Sequence, residues 1–155
     1  MTTPSTPSTA NASYPFASWK IDHAAIRVPD FDAAVAWYTE KLDFHLKRSL
    51  PVAGLTFALL SSAADDRFGI ELLAGPGEGS RATYKDLHAS YKMPGWHHVG
   101  FRVESVDRAI DELRRRGVAI IAEPQDVTVM GLRVAFIADP WDNIFEITQS
   151  LSDWL

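Results

Sequence analysis

The sequence contains no cysteine in its 155 residues. That absence excludes disulfide bonds, thiolate ligands and thiol nucleophiles, so a metal ion held by this chain would need histidine and carboxylate ligands. No apolar run approaches the roughly 20 residues needed to cross a bilayer. The net charge of -5 argues against nucleic acid as a partner, because proteins that bind it usually present a basic surface. We therefore expect a small-molecule partner and neither a membrane nor a nucleic-acid partner.

Charged residues are also missing from residues 1–18, which are rich in Ser, Thr and Pro. This composition predicts a disordered N-terminal tail, since it offers too little apolar surface to bury a core. The segment lacks the basic start and apolar stretch of a secretory signal, so we expect a cytoplasmic protein. The remaining chain is the size of one domain, predicted at residues 19–149 and followed by a C-terminal tail at 150–155.

An internal repeat with a spacing of 75 residues is the most informative pattern. With this shift, Asp22–Val28 falls on His97–Val103. Each half then contains a His followed 48 positions later by a Glu: His23 with Glu71, and His98 with Glu146. We predict module 1 at 19–74, a linker at 75–95 and module 2 at 96–149.

Each half predicts the same order of elements and hence an α+β fold. An alternating strand is followed by a helix with an apolar stripe and then by three short strands. Asp30 and Ser105 are the expected helix N-caps, and Gly117 the expected residue just beyond the second helix. The strands are expected near 21–28, 44–49, 55–61 and 67–74, and near 97–103, 118–122, 131–138 and 143–148. The sequence therefore predicts a βαβββ unit used twice.

The repeated His and Glu residues are candidate metal ligands. Glu71 and Glu146 lie inside apolar strands, where a carboxylate is costly unless a cation or hydrogen bonds compensate it. A single strand His or Glu is more often a hydrogen-bonded or solvent-facing residue, but the duplication favours a shared cation. We predict His23, Glu71, His98 and Glu146 as the ligands. His97 should point to the opposite face and be structural.

Two arginines share the predicted face of the histidines. Arg27 and Arg102 have the same strand parity as His23 and His98. They could clamp a substrate carboxylate or form salt bridges to neighbouring carboxylates, and the sequence does not choose between these roles.

Several motifs resemble the vicinal oxygen chelate superfamily, which includes glyoxalase I, bleomycin-binding and fosfomycin-resistance proteins, and extradiol dioxygenases. The resemblance covers about residues 20–149 and is carried by His23-x-x-x-Arg27, Trp37-Tyr38, Gly95-Trp-His-His98 and Asp139-Pro140-x-x-Asn143-x-Phe-Glu146. It implies two tandem βαβββ modules forming a U-shaped mixed sheet around a metal site, often in a homodimer. The His-Glu-His-Glu order is most similar to glyoxalase I-type members.

The resemblance also implies a chemistry. A divalent ion (Ni, Zn, Mn, Co or Fe) would assist removal of a proton next to a carbonyl of a small oxygenated substrate, with Glu146 as the base and Glu71 as a second base. The expected activity is an isomerase, an epimerase or a glyoxalase-type lyase. The alternatives are a dioxygenase or an antibiotic-resistance protein of the fosfomycin or bleomycin type. Gly75 stands where glyoxalase I has an Asn that helps hold glutathione. The resemblance therefore does not decide whether the substrate contains glutathione. The linker is expected to be a lid over the metal or a contact with a partner subunit.

Overall fold

A computed structural model describes residues 18–77 and 83–151. The predicted tails therefore fall almost wholly outside the described residues. Module 1 comprises β1 (His23–Val28), α1 (Phe31–Leu42), β2 (Phe44–Val52), β3 (Leu55–Ser62) and β4 (Gly69–Ala74). The linker contributes a short helix, α2 (Leu87–Ser90). Module 2 comprises β5 (His98–Arg102), α3 (Val106–Arg115), β6 (Ala119–Val127), a 3-10 turn (Thr128–Met130), β7 (Leu132–Ala138) and β8 (Ile144–Ser150).

The two tandem βαβββ modules are confirmed. Within residues 18–77 and 83–151, no helix is both long enough and apolar enough to cross a membrane. Each module forms its own four-stranded mixed sheet, with strand orders β1-β4-β3-β2 and β5-β8-β7-β6. In both sheets the first strand runs parallel to the last, and the other neighbours are antiparallel. In the part of the chain that the structure describes, β1 and β5 are consequently edge strands.

The helix ends follow the predicted sequence signals. Asp30 Oδ1 accepts a hydrogen bond from the Ala33 amide at 2.8 Å, and Ser105 Oγ accepts from the Arg108 amide at 3.3 Å. These N-caps each stabilise a helix by about 1 kcal/mol. Gly117 has φ 76° and reverses the chain after α3, a left-handed conformation that glycine adopts without a Cβ clash.

One apolar core joins the two modules. The even-numbered face of the first sheet and the odd-numbered face of the second pack with both long helices in one cluster. Phe44 of module 1 meets the Phe101 ring of module 2 edge-on, with 5.7 Å between centroids. Each helix packs on the sheet of its own module, and contacts across the junction join the two halves into one core.

A buried polar contact fixes the junction. Tyr38 Oη donates to Asp139 Oδ2 at 2.7 Å, and burial together with this carboxylate raises the pKa of the Tyr38 phenol. Asp139 also accepts hydrogen bonds from the backbone of Trp141 and from the backbone and side chain of Asn143. The Asp139–Asn143 motif thus shapes the turn that leads into β8, the strand carrying Glu146.

Candidate metal centre

His23 and Glu71 lie side by side on the first sheet, on the face turned away from the shared core. Because β1 runs parallel to β4, His23 is paired with Gly69, and Ala25 with Glu71. The His23 Nε2 atom is 3.5 Å from Glu71 Oε2. The Glu71 side chain is only 20% exposed, so its charge is partly removed from water.

His98 and Glu146 repeat this arrangement on the second sheet. His98 Nε2 is 3.4 Å from Glu146 Oε2, and the Glu146 side chain is 21% exposed. Gly100 is paired with Glu146 across the strands, and a Cβ at Gly100 would lie 3.6 Å from the carboxylate oxygen. The missing side chain leaves open space directly beside Glu146.

The two pairs remain separate within one chain. Among the residues that the structure describes, no group of three or more His, Cys, Asp or Glu side chains is close enough to hold a metal ion. The reason is the packing of the modules, because their apolar faces share the core and the faces bearing the pairs point away from it. A single chain therefore presents two separate pairs, His23 with Glu71 and His98 with Glu146, and we call each pair a half-site. The four-ligand site stays a prediction.

The geometry of each half-site fits a divalent ion. Two ligand atoms bound to one ion at about 2.1 Å lie about 3.0–3.4 Å apart, depending on the angle between them. The observed separations of 3.5 and 3.4 Å therefore need little movement. Imidazole nitrogen and carboxylate oxygen are both ordinary ligands of Zn, Ni, Mn, Co and Fe.

A neighbouring acceptor orients the first histidine. His23 Nδ1 lies 2.8 Å from Asp22 Oδ2. Because an ionised carboxylate only accepts, the proton of a neutral His23 ring sits on Nδ1. The lone pair of Nε2 then faces Glu71, which is the tautomer a metal-binding imidazole requires.

The second histidine is contacted by His97, contrary to the expected opposite orientation. His97 Nδ1 is 2.8 Å from His98 Nδ1, and His97 Nε2 is 2.8 Å from Ser90 Oγ. The prediction was wrong because β5 begins at His98, so strand alternation does not extend to His97. Burial and the neighbouring His98 lower the pKa of His97. The 75-residue shift already placed His97 on Asp22, a signal that could have identified both as supporting residues.

The linker covers part of the ligand-bearing face of module 2. Tyr84 and Leu87 pack with Ile121 and Ala122 on a small apolar cluster of this sheet formed by Leu132, Val134, Phe136 and Ile144. The His98 ring meets the Phe136 ring edge-on at 5.6 Å. Tyr84 and Leu87 of the linker thus lie against the sheet face that carries His98, and the choice between a lid and a subunit contact stays a prediction.

The two predicted substrate-binding arginines have different surroundings. The Arg27 guanidinium donates to the backbone carbonyls of Val28, Leu73, Gly75 and Pro76 at 2.7–3.0 Å, so it anchors the exit from β4. Arg102 is exposed, and in residues 18–77 and 83–151 its side chain has no hydrogen-bond or ion-pair partner. Arg102 is therefore better placed to meet an anionic group.

The chain belongs to the Glyoxalase/Bleomycin resistance protein/Dioxygenase superfamily, whose family description matches residues 20–147. It is 33% identical over 131 residues to the uncharacterized protein YurT of Bacillus subtilis, covering 84% of this chain and 98% of YurT. It is 28% identical over 141 residues to the 2-epi-5-epi-valiolone epimerase of an Actinomyces species, covering 82% and 77%.

Solved structures agree with this assignment. The structure of a Zea mays glyoxalase I variant matches with a TM-score of 0.66 at 25% identity, covering 86% of this chain and 46% of the maize chain. The chain also spans less than half the length of the plant lactoylglutathione lyases it matches. The resemblance seen in the sequence motifs is thus confirmed at the level of the superfamily, whose members include lyases and epimerases.

Proposed function

We propose that this protein is a divalent-metal-dependent isomerase, epimerase or glyoxalase-type lyase that removes a proton next to a carbonyl of a small oxygenated substrate. The observation that carries the proposal is the pair of His–Glu half-sites at repeat-equivalent positions, each with an imidazole Nε2 within 3.5 Å of a carboxylate. The presence of an acid beside His23 as well as beside His98 favours proton transfer over dioxygenase or fosfomycin-type chemistry, which in the resembling proteins uses a single Glu.

The proposed site is completed by a second copy of the chain. Among residues 18–77 and 83–151, β1 and β5 each have one unpaired edge, and such edges readily pair with another strand. The large apolar side chains Ile21 and Trp96, which the repeat places in equivalent positions before these strands, are exposed; exposed apolar patches mark contact surfaces. In a homodimer, β1 of one protomer would lie beside β5 of its partner.

This dimer would bring His23 and Glu71 together with His98 and Glu146 of the partner subunit, and its two-fold symmetry would create two such sites. Two His and two Glu leave about two positions of an octahedral ion for substrate oxygens. When bound, the ion would supply a Lewis acid that polarises the substrate carbonyl and acidifies the adjacent C–H bond. Ni, Zn, Mn, Co and Fe all suit this ligand set.

In the proposed site, glutamate side chains would remove the proton from the substrate and return it. The Glu146 carboxylate takes it from the carbon that occupies the space above Gly100. Return of the proton from Glu146 to the adjacent carbon gives isomerase or glyoxalase-type chemistry. Delivery of a proton already held by Glu71 of the partner subunit to the opposite face of the same carbon would invert that carbon and give an epimerase. The apolar cluster under Tyr84 and Leu87 limits access of water, and Arg102 binds an anionic end of the substrate.

Proton exchange in deuterated water tests the assignment of Glu146. Metal-loaded protein is incubated with candidate 2-hydroxy and 2-oxo acids and with hemithioacetals, and loss of the α-proton is followed by NMR. We expect Glu146→Gln to slow exchange by about 10²-fold or more, because a positioned base contributes that much. Glu40→Gln, an exposed carboxylate on α1, is the matched control and should exchange normally.

Two results would contradict the proposal. Unchanged exchange in the Glu146→Gln variant would remove Glu146 from the role of base. Protein purified with a full supply of divalent ions and containing no stoichiometric metal by elemental analysis would remove the metal site itself.

A further inference from the structure

We infer that Ser90 and His97 form a hydrogen-bonded relay that fixes the tautomer of His98 and so presents its Nε2 lone pair to the metal. Ser90 and His97 are positioning residues, since they act only through His98. The relay itself stands on contacts within the chain, whereas its consequence for metal binding rests on the proposed function.

The direction of the relay begins at the Ser90 hydroxyl. Ser90 Oγ lies 2.6 Å from the Leu87 carbonyl oxygen and 2.8 Å from His97 Nε2. A carbonyl oxygen only accepts, so the Ser90 hydroxyl donates its single proton to the Leu87 carbonyl oxygen. Ser90 must then accept from His97, which places a proton on His97 Nε2. Ser90 is 2% exposed, so water has little access to replace either partner.

The same reasoning identifies the donor in the hydrogen bond between His97 and His98. A neutral His97 with its proton on Nε2 has a lone pair on Nδ1, which is 2.8 Å from His98 Nδ1. His98 must therefore donate from Nδ1, and its Nε2 keeps the lone pair that faces Glu146 at 3.4 Å. The Tyr91 ring stacks on the His97 ring at 5.1 Å and 26°, which holds the ring in this orientation.

The relay gives the two half-sites different supports. In module 1 the supporting group is the Asp22 carboxylate, whose side chain is 78% exposed. In module 2 the support runs inward to Ser90, in the last position of α2. That helix is capped by Asp86, whose Oδ1 accepts from the Ala89 amide at 2.8 Å. A metal ligand is thereby connected to the linker, so disturbance of α2 reaches His98.

Tautomers measured by NMR test the relay without metal. Long-range ¹H–¹⁵N correlation spectra of the metal-free protein distinguish Nδ1–H from Nε2–H in each of the five histidines. We expect Nδ1–H for His98 and Nε2–H for His97, and a mixture at His98 in Ser90→Ala. Ser61→Ala is the matched control, because Ser61 is also buried and contacts a different histidine, His45, at 3.4 Å. It should leave both signals unchanged.

Zinc affinity measured by competition with a chromogenic chelator tests the consequence. Ser90→Ala should weaken Zn²⁺ binding about tenfold, as loss of an outer-shell partner typically does, and Ser90→Thr should restore it by returning the hydroxyl. His97→Leu is a second variant with the same expected loss. Circular dichroism spectra and thermal unfolding should match the wild type, which separates positioning from folding.

The outcomes keep the two proposals apart. An Nε2–H tautomer at His98 in the wild type would overturn the relay, as would wild-type Zn²⁺ affinity in both Ser90→Ala and His97→Leu. A wild-type protein that shows the expected tautomers but binds no Zn²⁺ would instead contradict the proposed function.

Discussion

A heterodimer carrying one ligand substitution in each subunit should recover one metal site. His23→Ala removes a ligand from module 1, and His98→Ala removes one from module 2. In a homodimer of either variant, both proposed sites lose a histidine. In the mixed dimer, one site combines both defects, while the other combines the intact module 1 of one subunit with the intact module 2 of its partner. Two-fold symmetry therefore predicts about half of the wild-type sites.

The assay needs only two affinity tags and elemental analysis. The two variants are expressed together with different tags, and the mixed dimer is purified over both resins. It is then dialysed against a divalent-ion concentration that just saturates the wild type, because a site with three ligands binds more weakly. We expect about two ions per wild-type dimer, about one per mixed dimer and close to none in either homodimer. A mixed dimer of His45→Ala and Glu40→Gln is the control and should keep both ions.

Two results would refute the reasoning. A mixed dimer without metal would mean that one chain supplies both halves of each site, which requires a different packing of the modules from the one described. Full metal content in the His23→Ala or His98→Ala homodimer would show that these histidines are not ligands.

Two further predictions concern stability. Tyr38→Phe should lower the free energy of unfolding in urea by about 1.5–3 kcal/mol, since it removes a buried hydrogen bond to the Asp139 carboxylate while filling the same space; unchanged stability would contradict the buried contact. Hydrogen bonds from Arg115 and Arg116 lower the pKa of Glu112 from 4.5 to about 2, so its contribution is present above pH 4.5 and is lost as the pH falls towards 2. Glu112→Gln should therefore reduce the change in the free energy of unfolding between pH 4.5 and pH 2. If the free energy of unfolding, measured by urea titration at several pH values, falls equally with pH in both proteins, this contribution is excluded.

Local patterns in the sequence were sufficient to predict the two modules and the ends of their helices. The 75-residue repeat located both βαβββ units, and Asp30 and Ser105 cap their helices as expected because capping depends on residues only three positions apart. The proximity of each His to its Glu depends instead on the pairing of β1 with β4 and of β5 with β8, strands that are distant along the chain. Strand parity correctly placed His23 with Arg27, and His98 with Arg102, on the same face of their strands, since alternation is a property of the strand itself.

Local sequence patterns could not predict the contacts between segments that are distant along the chain. Arg27 was expected near a substrate or a carboxylate, but the chain after β4 returns to it and offers backbone carbonyls, which no side-chain pattern encodes. His97 was expected to point away from His98. Its orientation depends instead on Ser90, in a helix whose position is set by packing on the second sheet.

The sequence by itself determined that each of two equivalent modules carries a His at the start of its first strand and a Glu in its last, because the repeat and strand alternation are properties of the sequence and of single strands. Only the tertiary structure decided how the pairs are arranged. The contacts of Tyr38 with Asp139 and of Phe44 with Phe101 draw the apolar faces of both modules into one core. Burial of that apolar surface dominates the packing energy, so the faces that carry the His–Glu pairs turn outward and the two pairs of one chain stay apart.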